Sequence, residues 1–189
     1  NKYSFGIDDE DWFRLGLYVG KEIDAREIEK INETCNFSKA KKYAVKSLAY
    51  KLQTELEIKT KLEQRGFDES IIKKVVDQLV QMEYINDRVF TQKYIRNALK
   101  VKKIGTHRIE MELQIKGIDK QIIQEEIQQY DDIENKILGE LVSKKITTLK
   151  SVDFNSLNKL RAYFMRKGYN LNSINQSIDD ALGETEIID

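Results

Sequence analysis

Three glycines, Gly66, Gly117 and Gly168, are spaced 51 residues apart and close near-identical local patterns. Apolar residues stand eight and four positions before each glycine, a basic residue stands directly before it, and an apolar residue follows it. A fixed period of this size is typical of stacked repeat proteins, in which one unit cannot bury its own apolar face. We therefore interpret the chain as one structural unit that occurs three times.

Each unit is predicted to contain three helices, and the absence of proline from all 189 residues removes the strongest helix breaker. In the first unit, apolar residues at helical spacing predict a helix over about residues 39–52. A capping box at Thr54 and Glu57 predicts the start of a second helix, which ends at Gly66 in the left-handed cap position. Asp68 is predicted to cap the third helix.

The second and third units repeat this plan with local differences. Asp119 is predicted to cap the last helix of the second unit, and either Asn170 or Asn172 the last helix of the third. The stretch from Lys144 to Asp153 is longer and less regular than its counterparts. Terminal copies of an array often deviate in this way because one face has no neighbour.

The first 38 residues have a different pattern. Residues 3–7 alternate like a short strand, and residues 12–20 alternate in part, although Asp11 could equally cap a short helix that ends at Gly16. Asp24 followed by Glu27 predicts the start of a helix that leads into the first unit. The expected architecture is an all-α array of tandem three-helix repeats that form an elongated curved solenoid, with a small N-terminal strand/helix segment. Its parts are residues 1–38, 39–85, 86–132 and 133–189.

Catalytic or metal chemistry is not indicated by any motif. His107 is the only histidine and Cys35 the only cysteine, which excludes a His/Cys metal cluster and an intramolecular disulfide. The G-x-x-x-x-G-K-[ST] phosphate loop is absent, as are a secretory signal and an apolar run of about 18 residues. We expect a non-enzymatic cytoplasmic protein with no cofactor and no membrane contact.

Charge is strongly segregated along the chain, although 32 basic and 32 acidic residues give a net charge of zero. Residues 34–54, 88–109 and 154–178 contain no acid. Stacked repeats could merge such segments into a stripe that attracts phosphates or an acidic partner, although most charge runs are solvated helix faces. Arg65, Lys116 and Lys167 have a simpler explanation, because each complements the dipole at a helix C-terminus. The candidate contact residues are Arg88, Lys93, Arg96, Lys100, Lys102, Lys103, His107, Arg108, Lys42, Lys46 and Lys51.

Several segments together resemble the RecX family of RecA regulators over nearly the whole chain. Residues 17–24 are similar to the family's first segment, and 54–67 to the core of its first repeat. Residues 84–90, Tyr-Ile-Asn-Asp-Arg-Val-Phe, match the family's link, and 105–118 resemble its second-repeat motif. The chain departs from the family at residues 51–54, where Lys-Leu-Gln-Thr replaces Arg-x-Arg-Ser and one positive charge is lost.

The resemblance implies an all-helical protein that binds filaments of RecA on DNA and restrains strand exchange, ATP hydrolysis and co-protease activity. The implied partners are the RecA filament and, weakly and in a salt-dependent way, single- and double-stranded DNA, and we expect a monomer. A rival interpretation is a helical-repeat scaffold whose basic face binds an acidic protein and no nucleic acid.

Overall fold

The computed structural model of the chain describes residues 6–7 and 9–186. Within these residues the regular structure is entirely helical, which confirms the predicted all-α class. The chain divides into two compact units, Asn1–Asn86 and Asp87–Asp189. The curved solenoid and the division of the chain after residues 38, 85 and 132 stay predictions.

The first unit is built around one hydrophobic core. Its helices are α1 (Asp9–Arg14), α2 (Ala25–Tyr50), α3 (Glu55–Gln64) and α4 (Glu69–Gln81). The second half of α2 packs with α3 and α4, and Ile58, Leu62 and Leu79 are fully buried between them. Ala40 and Ala44 supply the α2 side of this core, and their small side chains allow close approach of the helices.

The N-terminal segment is only partly described, since residues 3–5 of the predicted strand 3–7 lie outside the described residues. Of the two alternatives for residues 12–20, the helix is observed, as α1, followed by Gly16 at φ +60°. The prediction that Asp11 caps this helix is wrong. Asp11 lies inside α1 and is buried, where its carboxylate accepts hydrogen bonds from Arg14 (2.5 Å) and Ser38 (2.9 Å).

Helix α2 is longer than the sequence pattern predicts. The predicted helix start at Asp24 is confirmed, because its side chain accepts a hydrogen bond from the Glu27 amide, but the helix then continues without a break to Tyr50. The separate helix over residues 39–52 is therefore wrong. The apolar stripe changes direction along α2, since Ile31 and Cys35 pack in a small cluster with the N-terminal segment whereas Ala40 and Ala44 pack on α3 and α4.

The second unit contains two successive groups of three helices, each with its own core. The first core includes Ile109, Leu113 and Ile123, and the second includes Leu138, Phe164 and Ile174. The elements in chain order are α5 (Asp87–Asn97), a π-helical turn (Ala98–Lys102), α6 (Thr106–Ile115), α7 (Lys120–Ile127), a 3₁₀ turn (Gln128–Tyr130), α8 (Asp131–Ile146), α9 (Phe154–Arg166) and α10 (Leu171–Glu186).

The three periodic glycines share one local structure. Gly66, Gly117 and Gly168 have φ values of +79°, +80° and +89°, so each adopts the left-handed conformation. In each case the following residue donates its amide hydrogen to the carbonyl five residues back, and the glycine donates to the carbonyl three residues back. This is the Schellman motif, and it confirms the predicted helix ends.

Most of the predicted caps are confirmed. Both hydrogen bonds of the Thr54–Glu57 capping box are present, Asp119 accepts from the Gln121 amide (2.8 Å), and Asn170 accepts from the Asn172 amide (2.8 Å). Asp68 stands at the N-cap position of α4 but makes no capping hydrogen bond with its side chain. The irregular stretch begins later than predicted, since α8 includes residues 144–146.

Candidate nucleic-acid interface

The cations of the predicted basic run 88–108 fall into two classes, those held by other side chains and those left open. Arg88 belongs to the first class, because it donates to Glu125 (2.6 Å) and to the buried Glu126 (2.7 Å) on α7. The hydrogen bond from Arg88 keeps the pKa of the Glu125 carboxyl below its usual value. Arg96 donates its Nε hydrogen to the Tyr130 hydroxyl (2.9 Å). Both arginines therefore hold α5 against its neighbours.

Glu112 on α6 is hydrogen-bonded to three further side chains of this run. It accepts hydrogen bonds from the Tyr94 hydroxyl, from Arg108 (3.0 Å) and from Lys102 (3.3 Å). The Tyr94 hydrogen bond, aided by Arg108 and Lys102, lowers the pKa of Glu112 against the opposing effect of burial. The Lys102 ammonium also lies 4.7 Å from the centre of the Tyr94 ring. Lys102 and Arg108 thus have a carboxylate within reach, which reduces the charge they offer to a ligand.

The cationic side chains directly before the periodic glycines also contact other groups of the protein. Arg65, Lys116 and Lys167 are the C-cap residues of their helices, as the helix-dipole interpretation expects. Each in addition lies over an aromatic ring, at 4.4 Å from Tyr43, 5.7 Å from Phe90 and 5.5 Å from Tyr163, in that order. In these contacts the aliphatic part and the charged end of each cationic side chain pack against an aromatic ring of the same repeat.

An open groove beside the π-helical turn is lined by four cations of the second unit. It has a volume of about 640 Å³ and brings Lys100 and Lys103 together with two lysines of α8, Lys136 and Lys144. The ammonium groups of these four residues, which we call the lysine groove, form no ion pair in the described part of the chain. Glu140 is the one acid in the lining, so the groove carries excess positive charge.

The backbone of the turn presents two of these lysines. Residues 98–102 form a π-helical turn, and Lys103 adopts a left-handed conformation with φ 53°. Side chains other than glycine rarely adopt this conformation, and π-helical turns are frequent at functional sites. The turn directs α5 into the loop before α6 and leaves the side chains of Lys100 and Lys103 exposed.

The Gly-Thr-His-Arg motif at residues 105–108 has a structural role. The Gly105 amide donates to the Lys167 carbonyl (2.8 Å), and the His107 amide donates to the Gly168 carbonyl (3.1 Å). The third free amide of the α6 N-terminus, that of Thr106, donates to the buried carboxylate of Glu134 (2.8 Å). The predicted contact residue His107 has an exposed side chain next to this junction.

The predicted contact residues of the first unit lie on or near the end of α2. Lys42 pairs with Glu10 (2.8 Å), whereas Lys46 and Lys51 are exposed and make no ion pair with the described residues. Gln53, where the family pattern has its second arginine, is buried and donates to the Ser47 carbonyl (2.8 Å). The side chain of Gln53 also accepts a hydrogen bond from Lys61. This position stabilises the α2–α3 junction in this chain and offers no contact surface.

Lys93 completes the predicted set, as an exposed side chain of α5 without an ion pair among the described residues. Sequence reasoning missed Lys136 and Lys144, which belong to a helix of mixed charge. Their spacing of eight residues, which repeats one helix face, was the available signal.

Among the described residues, no group of three or more His, Cys, Asp and Glu side chains is arranged to hold a metal ion. No described helix combines the length and the apolar character that crossing a bilayer requires.

Comparisons with known proteins agree on one family. The family model of the first three-helix domain of RecX matches residues 40–79, and that of the second three-helix domain matches residues 86–126. Regulatory protein RecX of Clostridium tetani (strain Massachusetts / E88) is 31% identical over 173 residues, which cover 89% of this chain and 79% of that protein. Regulatory protein RecX of Clostridium beijerinckii is 30% identical over 181 residues, which cover 94% of this chain and 84% of that protein.

Two solved structures have the same fold. A crystal structure of regulatory protein RecX is similar with a TM-score of 0.78 at 21% identity, and covers 95% of this chain and 89% of its own. The crystal structure of RecX from Lactobacillus salivarius is similar with a TM-score of 0.73 at 25% identity, and covers 77% and 96%. The matched domains, the relatives and the shared fold lead to one conclusion: the chain belongs to the RecX family of regulatory proteins.

Proposed function

We propose that this protein is a non-enzymatic regulator that binds, as a monomer, to filaments of RecA on DNA in the cytoplasm. In this proposal, binding inhibits the recombinase, ATPase and co-protease activities of RecA. Membership of the RecX family supports the regulatory role, and the lysine groove is the observation that carries the contact with DNA.

The lysine groove suits a phosphate backbone better than the rest of the predicted basic run. Four ammonium groups surround it without an ion pair, so a phosphate that enters displaces no protein carboxylate from them. Lysines that neutralise phosphates release condensed counterions, which makes binding salt-dependent and independent of sequence. The proposed phosphate contacts are therefore Lys100, Lys103, Lys136 and Lys144. Lys93, on helix α5 directly before the π-helical turn, is proposed as a further contact outside the groove.

The other predicted cations take lesser roles in this proposal. Lys102 and Arg108 face Glu112, and Arg88 and Arg96 hold α5 to its neighbours, so their loss would first affect the fold of the second unit. In the first unit, Lys46 and Lys51 remain candidates because their ammonium groups are unpaired.

The alternative function is a scaffold that binds an acidic protein without nucleic acid. The lining of the lysine groove supports this alternative, since Ile133, Ile137 and Leu141 lie among the lysines. An acidic segment with apolar residues on one face would complement such a surface.

The salt dependence of DNA binding tests the proposal. If each lysine of the groove contacts a phosphate of single-stranded DNA, replacing all four by alanine lowers the slope of log K against log salt by about three, at about 0.7 for each contact. The measurement is fluorescence anisotropy with a labelled oligonucleotide at several salt concentrations.

A charge-matched control separates local contact from net charge. It replaces four exposed lysines elsewhere, Lys30, Lys73, Lys120 and Lys150, by alanine. An equal change of slope in both variants would reject the groove as the DNA contact. No binding of the unmodified protein to DNA, with binding to an acidic protein retained, would favour the scaffold.

A further inference from the structure

A second basic cavity lies in the first unit, at the junction of α1, α2 and α4. It is open to solvent and has a volume of about 530 Å³. Glu10 is the one acid in its lining, and it pairs with Lys42 at 2.8 Å. The ammonium groups of Lys41 and Lys46 form no ion pair with the described residues. The four cationic residues of the rim are Arg14, Lys41, Lys42 and Lys46, of which Arg14 pairs with the buried Asp11 at 2.5 Å. The rim is therefore positive and suits an anionic ligand.

The floor of this cavity has a different chemistry from its rim. It is formed by the apolar side chains of Phe37, Val45 and Ala49, with the amide group of Gln78 beside them. The side-chain oxygen of Gln78 is buried and has no hydrogen-bond partner in the described structure. A buried acceptor without a donor is costly, and a rotation of the Gln78 side chain toward the cavity would let a ligand N–H group remove that cost. The floor thus suits a flat apolar body that carries N–H donors.

A solvent-exposed tyrosine continues the same face of α2. Tyr50 is 90% exposed, four residues after Lys46 and eight after Lys42. Residues at this spacing lie on one side of a helix, separated by about 6 Å of rise for every four residues. An exposed aromatic ring in line with cations is the arrangement on which proteins stack the bases of single strands.

We infer that this cavity binds single-stranded nucleic acid, with one base on the floor, phosphates at Lys41 and Lys46, and a neighbouring base stacked on Tyr50. A nucleotide combines in one molecule the anion, the flat ring and the N–H donors that the rim, the floor and Gln78 require. The inference rests on the proposed function and deepens it, because it assigns a second DNA contact and selects the single-stranded form. In a duplex the bases are paired and stacked, and a base would have to leave the helix to reach the floor.

The test compares a single-stranded oligonucleotide with an abasic strand of the same length, since both carry the same phosphates. The full chain should bind the base-bearing strand about tenfold more tightly, which is within the range known for base stacking. Tyr50→Ala should abolish most of this preference and leave the affinity for the abasic strand unchanged, whereas Tyr50→Phe should retain it. Gln78→Leu should reduce it as well. Tyr84→Ala, at a tyrosine that is 55% exposed outside the cavity, is the matched control and should have no effect.

Two results would overturn the inference. Equal affinity of the unmodified chain for the two strands would show that only phosphates are bound, and a loss in Tyr50→Ala of binding to polyglutamate but not to DNA would assign the cavity to an acidic protein. Either result can occur while DNA binding still depends on the lysine groove, in which case the proposed function survives. Absence of all DNA binding would reject both.

Discussion

Gly105 and Gly168 meet where the loop before α6 crosses the end of α9. A Cβ atom on Gly105 would lie 2.3 Å from the backbone carbonyl of Gly168, and one on Gly168 would lie 2.4 Å from the Cβ atom of Arg108. The crossing also supplies acceptors for two amides of the α6 N-terminus. Both glycines are thus required by close backbone approach, and Gly168 additionally by its positive φ.

Gly105→Ala is expected to lower the free energy of unfolding by about 3 kcal/mol or more, because the backbone on the other side of the contact cannot move away cheaply. Gly139 in α8 is the matched control, since a Cβ atom there meets nothing within 4 Å. Gly139→Ala should raise stability by about 0.5–1 kcal/mol through helix propensity. Urea denaturation of the two variants measures both effects, and similar changes in both would contradict the close approach.

Glu134 is a buried carboxylate with a titration that differs between the folded and unfolded chain. Burial raises the pKa of Glu134, against the hydrogen bond from Thr106, which lowers it. The folded chain therefore holds this proton more tightly than the unfolded chain, so the contribution of Glu134 to stability falls as the pH rises through its folded pKa. Below its unfolded pKa the group is protonated in both states and the loss disappears.

Glu134→Gln should consequently become more stable relative to the unmodified protein as the pH rises from about 4 to about 7, because the amide still accepts from Thr106 and does not ionise. Glu134→Ala, which also lacks the ionising group, should show the same change with pH but lie about 1 kcal/mol below Glu134→Gln at both pH values, the usual cost of a missing helix cap. Chemical denaturation at the two pH values measures the free energy of unfolding of both variants and of the unmodified protein. A stability difference between Glu134→Gln and the unmodified protein that stays constant with pH would contradict the buried-carboxylate argument.

At the scale of helices, the repeat predicts which side chains carry the cores. Leu62, Leu113 and Phe164 occupy equivalent positions and have at most 1% of their surface exposed. Leu113→Ala should cost about 2–5 kcal/mol, because it removes methyl groups from a closed core. Met111→Ala on the same helix, at a side chain that is 64% exposed, should change stability by less than about 0.5 kcal/mol. Thermal unfolding of the pair is the measurement, and a small loss for Leu113→Ala would contradict the repeat alignment.

Local signals in the sequence predict the helix ends well. The Thr54–Glu57 box and the glycines act within four or five residues, so their outcome depends little on the rest of the fold. The length of α2 was not predictable in the same way. Its first half packs on the N-terminal segment and its second half on α3 and α4, so its apolar stripe follows two different surfaces. Asp11 was assigned wrongly for a related reason, since its partner Ser38 lies 27 residues away.

The candidate site shows the same division between local and distant information. The charge run identified Lys100 and Lys103, but a cation's availability depends on carboxylates that are distant in sequence, such as Glu125 for Arg88 at a separation of 37 residues. Lys136 and Lys144 were not predicted because α8 carries both signs of charge. Only the packing of α8 beside the π-helical turn brings them to the groove. Amino-acid composition cannot distinguish a cation that is paired with a distant carboxylate from one that is open to a ligand.

At the scale of the whole molecule, the balance of charge limits how the proposed binding to DNA can arise. With 32 basic and 32 acidic residues, the chain has no net attraction for a polyanion, so affinity must come from local excesses such as the lysine groove. Several such contacts on one chain add through effective concentration when they meet the same filament. In the proposed function, this makes a filament a better partner than a short isolated strand.

The hydrolysis of ATP by RecA in preassembled filaments tests the proposed regulation most directly. Filaments form first on single-stranded DNA, and the protein is then titrated at concentrations well below those that coat naked DNA. We predict that ATP hydrolysis falls in this range, that the four-alanine variant of the lysine groove requires a higher concentration, and that the charge-matched control behaves as the unmodified protein. Inhibition that begins only when free DNA is saturated would mean that the protein competes for DNA, and would contradict the recognition of RecA filaments.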